Sequence, residues 1–211
     1  MTILPYCVVL GDTAGHLPAT GILNSKLNEF AEAGLTAVYS QIEKFDISVT
    51  NFQQAALEFH NVVHAMFAHT AVVPFRFPTW LSEAELQRHL RSESARYQRF
   101  LNQHANHVQM EARIRLEQSS QGAASSSGTE HLRTRAAQIR KLRDMAEHTK
   151  QAVAAEAIEW RERETPDGLR LYALVDRGKL ASFREKLSQA DSGVRVSGPW
   201  PATEFLEPRV G

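Results

Sequence analysis

From Val108 to Glu117 apolar and polar residues alternate without a break: Val108, Met110, Ala112, Ile114 and Leu116 point one way, Gln109, Glu111, Arg113, Arg115 and Glu117 the other. Side chains of an extended chain leave on opposite faces with a period of two, so this segment is a half-buried strand. The fold must therefore contain a sheet with one face on a core. Downstream, the strand-like runs Ala157 to Glu164 and Leu169 to Asp176 flank Thr165-Pro166-Asp167-Gly168. Proline presets φ and glycine accepts a positive φ in such a turn, which makes the pair a hairpin. Between the lone strand and the hairpin stands Gln118 to Thr129, rich in Ser, Gly and Ala and without periodicity, which reads as a mobile loop. A long helix follows it, with Leu132, Ile139, Ala146 and Val153 spaced by sevens and a mixed-sign polar face. Lys179 to Gln189 is a short amphipathic helix using Leu180, Phe183 and Leu187, and Val194 to Ser197 a closing strand. The order strand, helix, strand, strand, helix, strand is that of a ferredoxin-like sandwich (βαββαβ).

The first half has similar ingredients. Pro5 to Leu10 and Leu35 to Ile42 read as strands, separated by an irregular loop containing Gly11, Gly15, Pro18 and Gly21. Thr50 with Gln53, and Ser82 with Glu85, have the spacing of capping boxes, in which hydroxyl and side-chain carbonyl satisfy each other's backbone donors. Each opens a helix. Phe52, Ala56, Phe59, Val63 and Met66 stripe the first, and Leu86, Leu90, Tyr97 and Leu101 the second. Ala71 to Phe77, bounded by Pro78, reads as a strand between them. The whole is an α+β chain of two small domains, 1–105 and 106–211, with the boundary near His104 to Asn106.

At 211 residues no larger machine fits, and 43% hydrophobic with 23% charged residues is ample for a buried core. Lys plus Arg and Asp plus Glu both number 24, so no overall charge pulls the chain toward nucleic acid or an anionic membrane. Cys7 has no intrachain partner, which excludes a disulfide framework and fits a reducing compartment. No secretory leader pattern and no apolar run of about 18 residues is present, so the chain reads as cytoplasmic with no membrane partner.

Several candidate chemistries are incomplete. His60 and His64 share a helical flank at ligand spacing, but Asn61 occupies the position where a zinc protease carries its general base. Partly buried or surface histidines are the simpler reading, as they are for His104 and His107. Cys7 lies in an apolar strand, where burial raises a thiol pKa and leaves little thiolate. Gly11-Asp12-Thr13-Ala14-Gly15 lacks the spacing and lysine of a phosphate loop. The basic residues of the long helix, Arg133 to Lys150, are interleaved with acids and read as a solvated face. The third ferredoxin-like strand offers only Tyr172 for base stacking, which counts against nucleic acid.

Two local features remain. In Val73-Pro74-Phe75-Arg76-Phe77-Pro78-Thr79, if Phe75 and Phe77 face the core, Arg76 lies on the opposite face and needs a carboxylate partner or water, and a buried or edge-strand ion pair is the simpler reading. In Gly198-Pro199-Trp200-Pro201, prolines stiffen the chain around an indole that either lids the core or anchors a partner. Their order and separation resemble the gas vesicle protein F/L family (GvpF/GvpL). There a histidine-containing helix precedes Pro-Leu-Arg-Phe-Gly-Thr, as His60-Asn61-Val62-Val63 precedes Pro74-Phe75-Arg76-Phe77-Pro78-Thr79 here. The family closes on Gly-Pro-Trp-Pro-Pro and an aromatic pair; here Gly198-Pro199-Trp200-Pro201 continues to Phe205. Pro78 in place of glycine, and Ala202-Thr203-Glu204 in place of the proline-aromatic continuation, mark a divergent member.

The resemblance implies an N-terminal modified ferredoxin-like domain, a C-terminal α+β domain and a non-enzymatic accessory role in gas vesicle formation, without cofactor or metal. The partners it implies are the small hydrophobic shell protein (GvpA-like) and other accessory proteins, which makes the chain gas vesicle-associated. Arg76, Glu111, Arg113, Tyr172 and Trp200 are the candidate protein-binding residues. The docking place would be a groove between the domains, an open sheet face carrying Glu111, Arg113 and Tyr172, or a sheet edge that adds a strand. The competing readings are a metal-dependent or small-ligand-binding enzyme on ferredoxin-like domains, and an interaction module outside gas vesicles.

Overall fold

The computed structural model describes residues 2–13, 15–42, 47, 51–115, 128–190 and 193–208. They group into two units, one running to Asn106 and taking in the residues from Pro201 on, the other His107–Trp200. A boundary at 105/106 leaves the tail in the second domain. It groups instead with the first, where Ala202 and Phe205 are buried.

The first unit contains β1 (Thr2–Leu10), β2 (Leu27–Glu32), β3 (Leu35–Gln41), α1 (Phe52–His69), β4 (Val73–Pro74), β5 (Leu81–Ser82) and α2 (Glu83–Gln103). Its antiparallel sheet has the order β2-β3-β1-β4, with β5 also paired to β1. β1 is buried from Ile3 to Val9, as expected of a continuous apolar run covered on both faces. β2 corrects the expected irregular loop. It pairs with β3 through Ala33 and Gly34, whose φ values of 51° and 75° suit a tight hairpin turn. Only Leu27 of β2 is buried, so this edge strand has little apolar pattern to announce it.

Tyr6 is the extra residue where β1 slips register against β3, between Pro5 opposite Tyr39 and Cys7 opposite Val38. Its buried hydroxyl donates to Ser40 Oγ (3.0 Å) and accepts the Ile22 amide (2.9 Å), tying the chain before β2 to the sheet. The strand expected over 71–77 shortens to β4, with the Phe75 amide still donating to the Tyr6 carbonyl at 2.9 Å. Pro74 and Pro78 supply no further donors.

Thr50 lies outside the described residues, and Asn51 at the start of α1 makes no side-chain capping bond. The buried stripe of α1 is Ala55, Phe59, Val62, Val63, Met66 and Phe67. Phe52, expected inside, is 42% exposed and rests its ring on Phe77 at 5.3 Å. At α2 the capping box forms as expected. The Glu85 amide donates to Ser82 Oγ at 3.3 Å while the Ser82 amide donates to Glu85 Oε2 at 2.7 Å.

The second unit contains β6 (His107–Arg115), α3 (Gly128–Ala152), β7 (Ala157–Thr165), β8 (Gly168–Asp176), α4 (Leu180–Ala190) and β9 (Val194–Trp200). Its sheet order, β7-β8-β6-β9, antiparallel throughout, is that of a ferredoxin-like sandwich. Ala112, Ile114, Leu169 and Leu171 pack with Ala146 of α3, flanked by Leu142, Met145, Trp160 and Val194. The heptad spacing of α3 needs adjustment, because a straight helix drifts about 20° per seven residues. Ile139 is 40% exposed, and contact runs through Leu142, Met145 and Ala146. Of the loop expected over 118–129, residues 118–127 lie outside the described residues, and 128 and 129 belong to α3.

Candidate functional site

Alternation along β6 and β8 puts Gln109, Glu111 and Arg113 on the sheet face away from α3, with Arg170 and Tyr172 beside them. Glu111 stands opposite Tyr172 on β8 and opposite Ser197 on β9. The β6–β9 register slips between Gln109 and Glu111, and this places Trp200 opposite Gln109. Without the slip, Ser197 and Trp200, an odd number of residues apart, would face opposite ways. With it, the indole Nε1 donates to Ser197 Oγ at 3.4 Å, and Ser197 Oγ donates to Glu111 Oε2 at 3.2 Å.

Glu111 is the hub. Its carboxylate accepts from Arg113 Nε (2.8 Å) and Nη2 (3.0 Å), and Arg170 Nη1 lies 3.5 Å away. Burial pushes the Glu111 pKa up, but the Arg113 fork, the Ser197 hydroxyl and the Arg170 charge outweigh it and hold the carboxyl below its ordinary value. Hydrogen bonding to Glu111 raises the Arg113 pKa. Four of the candidate residues, Glu111, Arg113, Tyr172 and Trp200, thus share one sheet face. The face is not open at all of them. Glu111 and Tyr172 are buried, at 6% and 5% exposure, because the side chains of β8 and β9 flank β6 and the arginines close over it. The half-buried strand expected at β6 is accordingly buried at Gln109 and Glu111 as well. Arg170 and Ser197 were not singled out by pattern, although strand alternation puts Arg170 on the face of Tyr172.

Arg76 belongs to the first unit. Phe77 packs against Phe59 at 5.1 Å and Phe75 against His89 at 5.4 Å, which leaves Arg76 exposed between them. Its carbonyl accepts from the Thr79 hydroxyl. It makes no ion pair among the described residues.

Cys7 is fully buried, and burial pushes its thiol pKa up to about 12. His60 and His64 are exposed on α1 with ring centroids 5.9 Å apart. Among the described residues, no group of three or more His, Cys, Asp or Glu side chains is placed to hold an ion. His104 is buried and packs on Phe100 at 4.8 Å. A cleft between α2 and Phe205 holds about 20 Å³, room for about one water. Among the described residues no helix is long and apolar enough to cross a membrane.

The fold has close counterparts. The crystal structure of the gas vesicle protein GvpF from Anabaena sp. PCC7120 superposes with a TM-score of 0.80 at 12% identity, covering 99% of this chain and 97% of that one. GvpF from Microcystis aeruginosa superposes with a TM-score of 0.73 at 13% identity, covering 97% of this chain and 98% of that one. At such identity the likeness speaks to the fold alone. No curated protein matches the sequence. The family model for gas vesicle synthesis protein GvpL/GvpF matches residues 3–207, so the chain belongs to that family.

Proposed function

We propose that this chain assists gas vesicle formation by contact rather than by turnover, binding the small hydrophobic shell protein and other accessory proteins in the cytoplasm. The observation that carries this reading is the family match over residues 3–207, which takes in both units. In the second unit the accessible contact residues are Arg113 and half-buried Trp200, the first held directly by Glu111 and the second through Ser197, with Tyr172 buried beside them; in the first unit it is Arg76. An indole with its N–H engaged and its face partly open suits a protein contact.

Co-purification of the tagged full-length chain with the shell protein tests this. Capture by the wild type, reduced in Trp200→Ala or Arg76→Ala, is the expected result. Absence of capture by the wild type would end the shell-binding reading, and unchanged capture by both variants would remove these two residues from it.

A further inference from the structure

We propose that the helix-free face of the second sheet carries a four-arginine row that binds the acidic face of a helix in a partner protein. The proposal extends the reading above to the partner's chemistry and does not require that partner to be the shell protein. Arg195 on β9 stands opposite Arg113 on β6, Arg113 opposite Arg170 on β8, and Arg170 opposite Arg163 on β7. One arginine from each strand therefore occupies a single register row across the whole sheet. Like charges directly opposite one another destabilise a sheet, so the row costs the isolated chain stability that internal contacts must offset. Glu111, in the neighbouring row, brings one carboxylate to Arg113 and Arg170. Its charge and that of Asp167, which also acts on Arg113 and Arg170, are fewer than the four positive ones of the row. Arg163 lies over the Tyr172 ring at 5.7 Å. The side chains of Arg113 and Arg170 are 42% and 37% exposed, and Arg163 and Arg195 are exposed residues.

Guanidinium groups pair bidentately with carboxylate and phosphate alike, so charge alone does not choose the occupant. One observation favours carboxylate on a polypeptide. A single-stranded nucleic acid on a sheet needs open aromatic rings to stack its bases, and the ring beside the row, Tyr172, is 5% exposed. Spacing selects the conformation. Strands lie about 4.8 Å apart, so the row spans about 14 Å. Carboxylates at i, i+3, i+7 and i+10 of a helix span about 15 Å. Alternate residues of an extended peptide advance about 6.8 Å each, and four of them overrun the row at about 20 Å.

The test is fluorescence anisotropy on the full-length chain with three labelled probes: a helical peptide with Glu at i, i+3, i+7 and i+10, the same composition broken by proline, and a single-stranded oligonucleotide of equal charge. The helical peptide should bind best and weaken as salt rises. Arg163→Glu with Arg195→Glu, both on edge strands and exposed, should weaken it by about tenfold or more. Arg163→Gln with Arg195→Gln should give a smaller loss. Arg135→Glu with Arg140→Glu, an equal charge change on exposed positions of α3, should weaken it far less. Urea midpoints confirm that each variant is folded. No binding, equal binding of the broken peptide, tighter binding of the oligonucleotide, or an equal loss in the α3 control would each overturn the proposal. Because no shell protein is present in this assay, its outcome is independent of the capture experiment.

Discussion

A Cβ placed on Gly168 would meet the carbonyl oxygen of Ile114 at 2.0 Å, so β8 begins in contact with the β6 backbone at a distance no other residue type permits. Gly168 also has a φ of 149°, a conformation that side-chain-bearing residues rarely adopt. Both effects act together in Gly168→Ala. The substitution should cost about 2–3 kcal/mol, read as a lower urea midpoint with unchanged slope. A midpoint equal to that of the wild type would show that the hairpin end can move aside.

Tyr6→Phe isolates one hydroxyl. The Tyr6 oxygen accepts the Ile22 amide and donates to Ser40, whose Oγ in turn donates to the Lys26 carbonyl (3.1 Å) and accepts the Ser25 hydroxyl (2.8 Å). Removing it leaves a buried amide without its acceptor, at about 1–3 kcal/mol. Amide exchange should also quicken at Ile22. Native-like protection there would mean that the segment holds itself without the tyrosine.

Glu111 makes stability pH-dependent in a defined direction. Its folded pKa is depressed, so the stabilisation is fully present above the unfolded value of about 4.3 and is lost as pH falls through the folded pKa. Glu111→Gln should cost about 1 kcal/mol at pH 7, discounted for the water that reaches the Arg113 guanidinium. The difference from wild type should shrink below about pH 4. A constant difference from pH 3 to pH 7, measured by urea titration, would assign the effect to shape and not to charge.

Cys7 should be inert in the folded protein. With its thiol buried and its pKa pushed up to about 12, almost no thiolate exists at pH 8. An aromatic disulfide reagent should label it only as fast as the chain unfolds, and at once in denaturant. Rapid stoichiometric labelling under native conditions would contradict the burial.

Periodic and capping signals were readable one residue at a time. The alternation of β6, the Pro166-Asp167 turn, the Ser82–Glu85 box and the βαββαβ order of the second unit each depend on neighbours within a few positions along the chain. The resemblance carried by Arg76 and Trp200 was legible for the same reason, and it led to the family. β2 was not legible, because an edge strand with one buried side chain carries almost no apolar pattern. In α1, Phe59, Val63 and Met66 are buried as the stripe required, but its first turn was not legible: Phe52 is exposed, and Ala55 rather than Ala56 is buried, because propensity does not say how the helix end meets the sheet.

Local pattern thus determined that this chain is α+β, where most of its strands and helices fall and which family motifs it bears. Tertiary pairing alone decided that Glu111, Ser197 and Trp200 form one hydrogen-bonded line, and that Arg113, Arg163, Arg170 and Arg195 share a row. The reason is physical. Register between strands distant in sequence is set by which side chains the whole sheet can bury, and a shift of one residue would send every one of these groups to the opposite face.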